Sequence, residues 1–125
     1  MGSEPTGGGT ARVIPHIADD EMRAGLAQSR AYVLAILRQG PAYHDDGARA
    51  IVWEHGRRNF GLRAAGLLSI VGPMADEGPL RGVGIFDCDP EQATRLMEQD
   101  PAVLAQILTF EVHPMRSFPG DALPS

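Results

Sequence analysis

The chain has 125 residues, a length that suits one domain with one core. Hydrophobic residues make up 43% of it and aromatic residues only 6%, so the core is expected to be Leu, Val, Ile and Ala. The formal net charge is -5, and the basic residues, all arginine, are scattered and outnumbered by carboxylates. That excludes the clustered positive footprint on which nucleic-acid binding depends.

Cys88 is the single cysteine, so no intrachain disulfide can form, which fits a reducing compartment. No apolar run approaches the ~20 residues of a membrane span. The N-terminus lacks a charged segment followed by an apolar stretch, so it does not read as a secretory signal. The expectation is a cytoplasmic protein that meets neither membrane nor nucleic acid.

Residues 1 to 29 are expected to form a flexible N-terminal extension. "MGSEPTGGGTAR" is too Gly-rich and polar to order itself. In "IPHIADDEMRAGLAQ", Pro15 and the acidic run can open a short helix that carries Met22 and Leu26 and packs on the domain. "RAYVLAILRQGP", 30 to 41, is the first clear strand, closed by Gly40-Pro41. Its nearly unbroken apolar run suits a central position in a sheet. "AYHDDG" is a polar loop.

Residues 48 to 65 read as a helix. Ala48, Ile51, Val52, His55, Asn59 and Leu62 share one face, and Arg49, Arg57 and Arg58 are expected to point elsewhere. Gly66 stands where a left-handed C-terminal cap is wanted. "LLSIVGPM", 67 to 74, and "VGIFDC", 83 to 88, read as a hairpin across "ADEGPLRG". "DPEQ" is a strong helix start: Asp89 caps, Pro90 suits the first helical position, and Gln92 completes a capping box. "DPAVLAQ" repeats the Asp-Pro start. "ILTFEVHPM", 107 to 115, is the last strand, and residues 117 to 125 are a Pro-rich tail.

Strand, helix, strand, strand, helix, strand is the β-α-β-β-α-β order of an α+β, ferredoxin-like fold with a four-stranded antiparallel sheet. Both helices then cover one sheet face. A second copy packed on the other face, giving a homodimer, is the economical expectation.

His55 carries the main chemical question. Its spacing fits a packed, hydrogen-bonded histidine, and its side chain also suits proton transfer near neutral pH. A carboxylate that orients it would favour chemistry. Asp100 is the candidate, although capping the helix at Pro101 explains it as well. In this fold the two helices lie side by side, so His55 and Asp100 can meet despite their separation in sequence. Such a carboxylate fixes the tautomer and leaves the other ring nitrogen as a base.

Other features read more plainly. The glycines and prolines of "SIVGPMADEGPLRG" fit tight turns, since neither a dinucleotide fingerprint nor a P-loop is present. His16, His44, His113 and Cys88 lie in separate elements, and "HDD" at 44 to 46 is the only local cluster, so no metal site is expected. Cys88 reads as packing rather than nucleophile. Arg81 sits in the hairpin, on the surface or within reach of an anionic substrate. Tyr43, His44 and Trp53 flank the mouth of the His55 helix, as an ordinary loop contact or as a pocket for an aromatic molecule.

These residues together resemble the YCII-related family, small ferredoxin-like domains that form dimeric α+β barrels. The resemblance covers about residues 30 to 116. It rests on "YVLAILR", on His55, on Gly66 in "AAGLL", on "GPM" at 72 to 74, on "DPEQA" and on "DPAVLAQ". It implies an active centre made of His55 and Asp100. Gly72, Pro73, Tyr43, His44, Trp53 and Arg81 are the expected substrate contacts. It also implies lyase-like or isomerase-like chemistry on a small molecule without a cofactor. The chain departs from the pattern at Ala102, where the family has an aromatic residue, which is expected to enlarge the pocket or change the substrate. The N-terminal extension is atypical and is expected to cover a site or the dimer seam.

Two functions follow as expectations. One is a cofactor-independent enzyme in which His55 and Asp100 abstract a proton, leading to elimination, isomerisation or cyclisation. The other is a non-catalytic dimeric module that binds a small ligand and in which His55 only packs.

Overall fold

The computed structural model describes residues 12–125, and the Gly-rich start expected to be flexible lies, up to residue 11, outside the described residues. The elements are α1 (Asp19–Ala27), β1 (Arg30–Gln39), α2 (Ala48–Ala64), β2 (Leu68–Pro73), β3 (Leu80–Phe86), α3 (Pro90–Glu98), α4 (Pro101–Leu104) and β4 (Leu108–Ser117). The four strands form one antiparallel sheet in the order β2-β3-β1-β4. From β1 onward this is an α+β fold consistent with the ferredoxin-like arrangement.

The period of two along β1 divides the sheet into two faces. Val33, Ala35 and Leu37 are buried and stand opposite Phe86, Gly84 and Gly82 of β3. This face meets the helices, where Ala48 and Leu62 of α2 and Ala93 and Met97 of α3 complete the core with Leu68, Ala102, Ile107 and Leu108. Leu34 and Ile36 alternate with them and pair with Ile85 and Val83 on the opposite face, where all four stay half-buried. The expected aliphatic core is present, with Phe86 as its one fully buried aromatic residue.

The turns place the helices. Gly66 closes α2 at φ +79, and the amide of Leu67 donates to the carbonyl of Leu62, the six-to-one bond of a Schellman cap. Gly40 ends β1 for a different reason: a Cβ there would lie 2.4 Å from the carbonyl oxygen of Gln106. The chain leaving β1 therefore runs hard against the chain leaving α4, and their backbones join through Gly40 N–H to Ile107 O and Ala42 N–H to Gln106 O. That junction sets the start of α2 beside the end of α4.

Several sequence expectations shift. β3 begins at Leu80, three residues before the expected 83, because the β2–β3 turn is tied up tightly. The amide of Met74 donates to Arg81 O, and the Arg81 guanidinium donates to the carbonyls of Gly78 (2.7 Å), Asp76 (2.6 Å) and Met74 (3.4 Å). β4 runs to Ser117 because Ser117 pairs with Arg30 at the start of β1. The helix expected in the N-terminal extension forms as α1, with Asp19, Asp20 and Glu21 at its positive end, but it does not pack on the domain. None of its residues is buried, and Met22 and Leu26 stay exposed. Among the described residues no helix is long and apolar enough to cross a membrane.

Candidate active site

Asp100 is the one buried charged residue of the described chain, with no exposed surface. It ends the turn after α3 and caps α4. One carboxylate oxygen, Oδ2, accepts from the amides of Ala102 (2.9 Å) and Val103 (3.3 Å). The other, Oδ1, lies 2.8 Å from Nδ1 of His55, midway along α2. Burial pushes the carboxyl up, but the hydrogen bond and charge of His55 and the two α4 amides outweigh it, so Asp100 lies below the ordinary aspartate value. It is therefore a carboxylate at neutral pH.

That charge state fixes the histidine. A carboxylate can only accept, so Nδ1 carries the ring proton and donates it to Asp100. The amide nitrogen of Asn59, one turn further along α2, lies 3.2 Å from Nε2 of His55. An amide nitrogen can only donate, so Nε2 holds the lone pair. His55 is thus held in a defined arrangement, with Nδ1 as the donor and Nε2 as the acceptor. The Asn59 bond to it sits at the long end of the usual range, where an incoming donor can replace it.

Arg58 approaches the same carboxylate. Its Nη1 is 3.8 Å from Asp100 Oδ1, has no exposed surface and has no hydrogen-bond partner. The expectation that Arg49, Arg57 and Arg58 all point away from this face is therefore corrected for Arg58. Arg49 is exposed, and Arg57 is an exposed partner of Glu54 at 3.1 Å. Arg58 follows His55 by three residues, a little less than one turn of α2, so its long side chain can reach the same carboxylate under the helix.

Two open clefts run along α2. The first, about 1040 Å³, is lined by His55 and Asn59 together with Tyr32, Val71 and Pro73 of the sheet and by Ser117, Phe118 and residues 120 to 123 at the C-terminal end. The second, about 840 Å³, is lined by Tyr43, His44, Trp53 and Arg49 near the start of the helix. Tyr43 and His44 meet edge to face at 5.1 Å. Val52, Gly56 and Phe60 border both clefts, so the two adjoin along one flank of α2.

The other residues singled out in sequence fall in different places. Pro73 lines the His55 cleft, while Gly72 pairs with Val83 on the open sheet face and lines neither cleft. Arg81 is committed to the hairpin carbonyls and also lies outside both clefts, which removes the reason to read it as a substrate contact. Ala102 has no exposed surface and packs in the core, so it does not enlarge a pocket. Residues 12 to 28 line neither cleft. Cys88 is half-buried, and burial followed by the charges of Asp89 and Asp87 pushes its thiol up, away from the reactive thiolate. Among the described residues no three His, Cys, Asp or Glu side chains come together as a metal ion requires.

Sequence reasoning left out three parts of this site. Asn59 was legible as a neighbour of His55 at the i+4 position, although not as the partner of Nε2. Arg58 carried the weaker i+3 signal. The C-terminal segment, read as a tail, carried no signal at all, yet it walls the cleft that His55 faces.

The chain matches no protein-family model and no curated protein sequence.

Proposed function

We propose that the chain is a small-molecule enzyme in which His55 acts as general base and then as general acid. Asp100 holds the tautomer and balances the imidazolium that forms when Nε2 takes a proton. The reaction is proton abstraction next to a carbonyl or a phenol, leading to elimination, isomerisation or cyclisation, and it needs no group beyond these side chains. The observation that carries this reading is the 2.8 Å bond from His55 Nδ1 to a buried carboxylate, with Nε2 beside Asn59 and both residues lining the cleft. Tyr43, His44 and Trp53 suit the apolar or aromatic body of the substrate in the adjoining cleft. This is the chemistry that the YCII-related resemblance implies. Two copies pair through the open sheet face, where Leu34, Ile36, Val83 and Ile85 are half-exposed; light scattering that gives a monomer mass would refute the dimer.

The test is hydrogen exchange from deuterated water into a panel of aryl ketones, phenols and β-substituted cyclic ketones, followed by NMR. The wild type is expected to exchange or eliminate on at least one class. His55→Ala, if folded, is expected to lose about 10² to 10⁴ in rate. Full turnover by a folded His55→Ala variant rules out the base.

A second reading is supported by the position of Asp100 as cap of α4, which makes its bond to His55 a latch between α2 and α4. The chain is then a dimeric ligand-binding module. Quenching of Trp53, the single tryptophan, by members of the panel that show no exchange would favour it.

A further inference from the structure

Neither the cap of α4 nor the clefts account for Arg58. Its side chain is only 23% exposed and its Nη1 is buried without an acceptor. At 3.8 Å from Asp100 Oδ1 it is too far for a hydrogen bond, while His55 Nδ1 donates to that oxygen at 2.8 Å. It is close enough for strong charge interaction in an interior where water does not screen it. A buried donor left unpaired costs free energy. The arrangement is explained if the charge matters more than the bond.

We propose that Arg58 is a positioning residue for His55: its fixed positive charge shares the Asp100 carboxylate and opposes protonation of the imidazole. A carboxylate alone beside a histidine favours the imidazolium, which has no lone pair to act as a base. A second cation on the same oxygen offsets that pull while leaving the carboxylate ionised and able to fix the tautomer. Asp100 then orients His55 without converting it to an acid in the resting state.

The other charged groups around His55 do not replace this effect. On α2, Asn59 is neutral, and Arg63 is exposed and lies over the Phe60 ring at 6.0 Å. From the sheet, Arg30 and Asp87 reach the cleft as a pair joined at 3.0 Å, so their charges largely cancel. The cleft-lining residues of β2 carry no charge, and Asp121 of the C-terminal segment is exposed and screened by water. Asp100 is the charged group that reaches His55 from the turn between α3 and α4.

The significance of Arg58 rests on the reading of His55 as a base, but its test does not need a substrate. The pH titration of the His55 ring nitrogens, followed by two-bond nitrogen–proton NMR, is compared in wild type, Arg58→Gln and Arg58→Lys. Arg58→Gln is expected to raise the titration midpoint by about one pH unit. Arg58→Lys, which keeps the charge, is expected to stay nearer the wild type than Arg58→Gln does. If Arg58→Gln does not fold, Arg58→Met removes the same charge and keeps the apolar stem. An unchanged or lowered midpoint in a folded, charge-removed variant overturns the proposal. A raised midpoint in a protein that turns over no substrate would leave Arg58 as assigned and sink the enzyme reading instead.

Discussion

The chain writes the same two-residue signal twice, eleven positions apart, and the fold uses the two copies differently. Asp89-Pro90 opens α3 and Asp100-Pro101 opens α4. Asp89 is exposed, and one oxygen accepts from the amide of Gln92 at 2.7 Å. Asp100 has no exposed surface and uses one oxygen for two α4 amides, which leaves the other for His55 and the nearby Arg58. A cap needs only one carboxylate oxygen. What the second oxygen faces, water or the underside of α2, separates a helix start from a candidate catalytic group.

The comparison is tested hardest by removing the buried member. Asp100→Ala strands the His55 N–H, the Arg58 charge and two backbone amides in the interior. It is expected to cost about 3–5 kcal/mol, the range for breaking a buried charged pair. Urea unfolding reads this as a fall in midpoint at unchanged slope. A cost close to that of an exposed cap would mean that Asp100 is only a cap.

Asp100→Asn separates charge from capping. Asparagine caps a helix about as well as aspartate, so the amides of Ala102 and Val103 keep an acceptor. The side-chain amide nitrogen then faces His55 Nδ1 and donates to it, which moves the ring proton to Nε2. Nitrogen NMR should show the inverted tautomer, and any His55-dependent turnover should fall by about 10² to 10⁴. The variant also removes a pH dependence. The folded-state value of Asp100 lies below the ordinary one, so the carboxylate contributes stability above the ordinary range of about pH 3.9. That contribution is lost as the pH falls through the lower folded value. The stability gap between wild type and Asp100→Asn should be full near neutral pH and close progressively below about pH 4. A gap that stays constant into acid would mean that the carboxylate charge is not what Asn lacks.

The sequence made much of this frame legible because it rests on local signals. Alternation in β1, the Asp-Pro starts and Gly66 each act through their own backbone or nearest neighbours. His55 and Asp100 could be paired in advance only because the strand and helix order placed the two helices side by side. The remainder depended on where long side chains and irregular chain go. Arg58 was expected to point away from the site and Arg81 to lie on the surface or reach a substrate, since charge says nothing about which carboxylate or carbonyl a flexible stem will reach. Met22 and Leu26 have the spacing of a packing face, but periodicity cannot show whether a surface is present to receive it. The C-terminal segment has no period, so its place along the cleft could not be read.

Returning to the exposed copy, Asp89→Ala should cost about 1 kcal/mol, the usual loss when an N-cap acceptor is removed. It should leave the His55 titration unmoved, because Asp89 makes no bond to α2. A shift in that titration would show that the two Asp-Pro starts are coupled through α3.

The smallest effect is expected from Asp89→Asn. The amide oxygen of asparagine can accept from Gln92 N as the carboxylate does, so the capping bond survives. What is lost is one negative charge at the positive end of a nine-residue helix. In an exposed position that interaction is screened and worth about 0.3–1 kcal/mol at low salt, less as salt is added. Thermal unfolding in moderate salt should therefore place Asp89→Asn within a few degrees of the wild type, by roughly 4–8 °C per kcal/mol for small domains. The same substitution at Asp100 keeps the cap too, but it alters a carboxylate that holds a histidine and faces an arginine. If the two Asn variants proved equally mild, the second oxygen of Asp100 would have no role that the second oxygen of Asp89 lacks, and the His55 reading would fall with it.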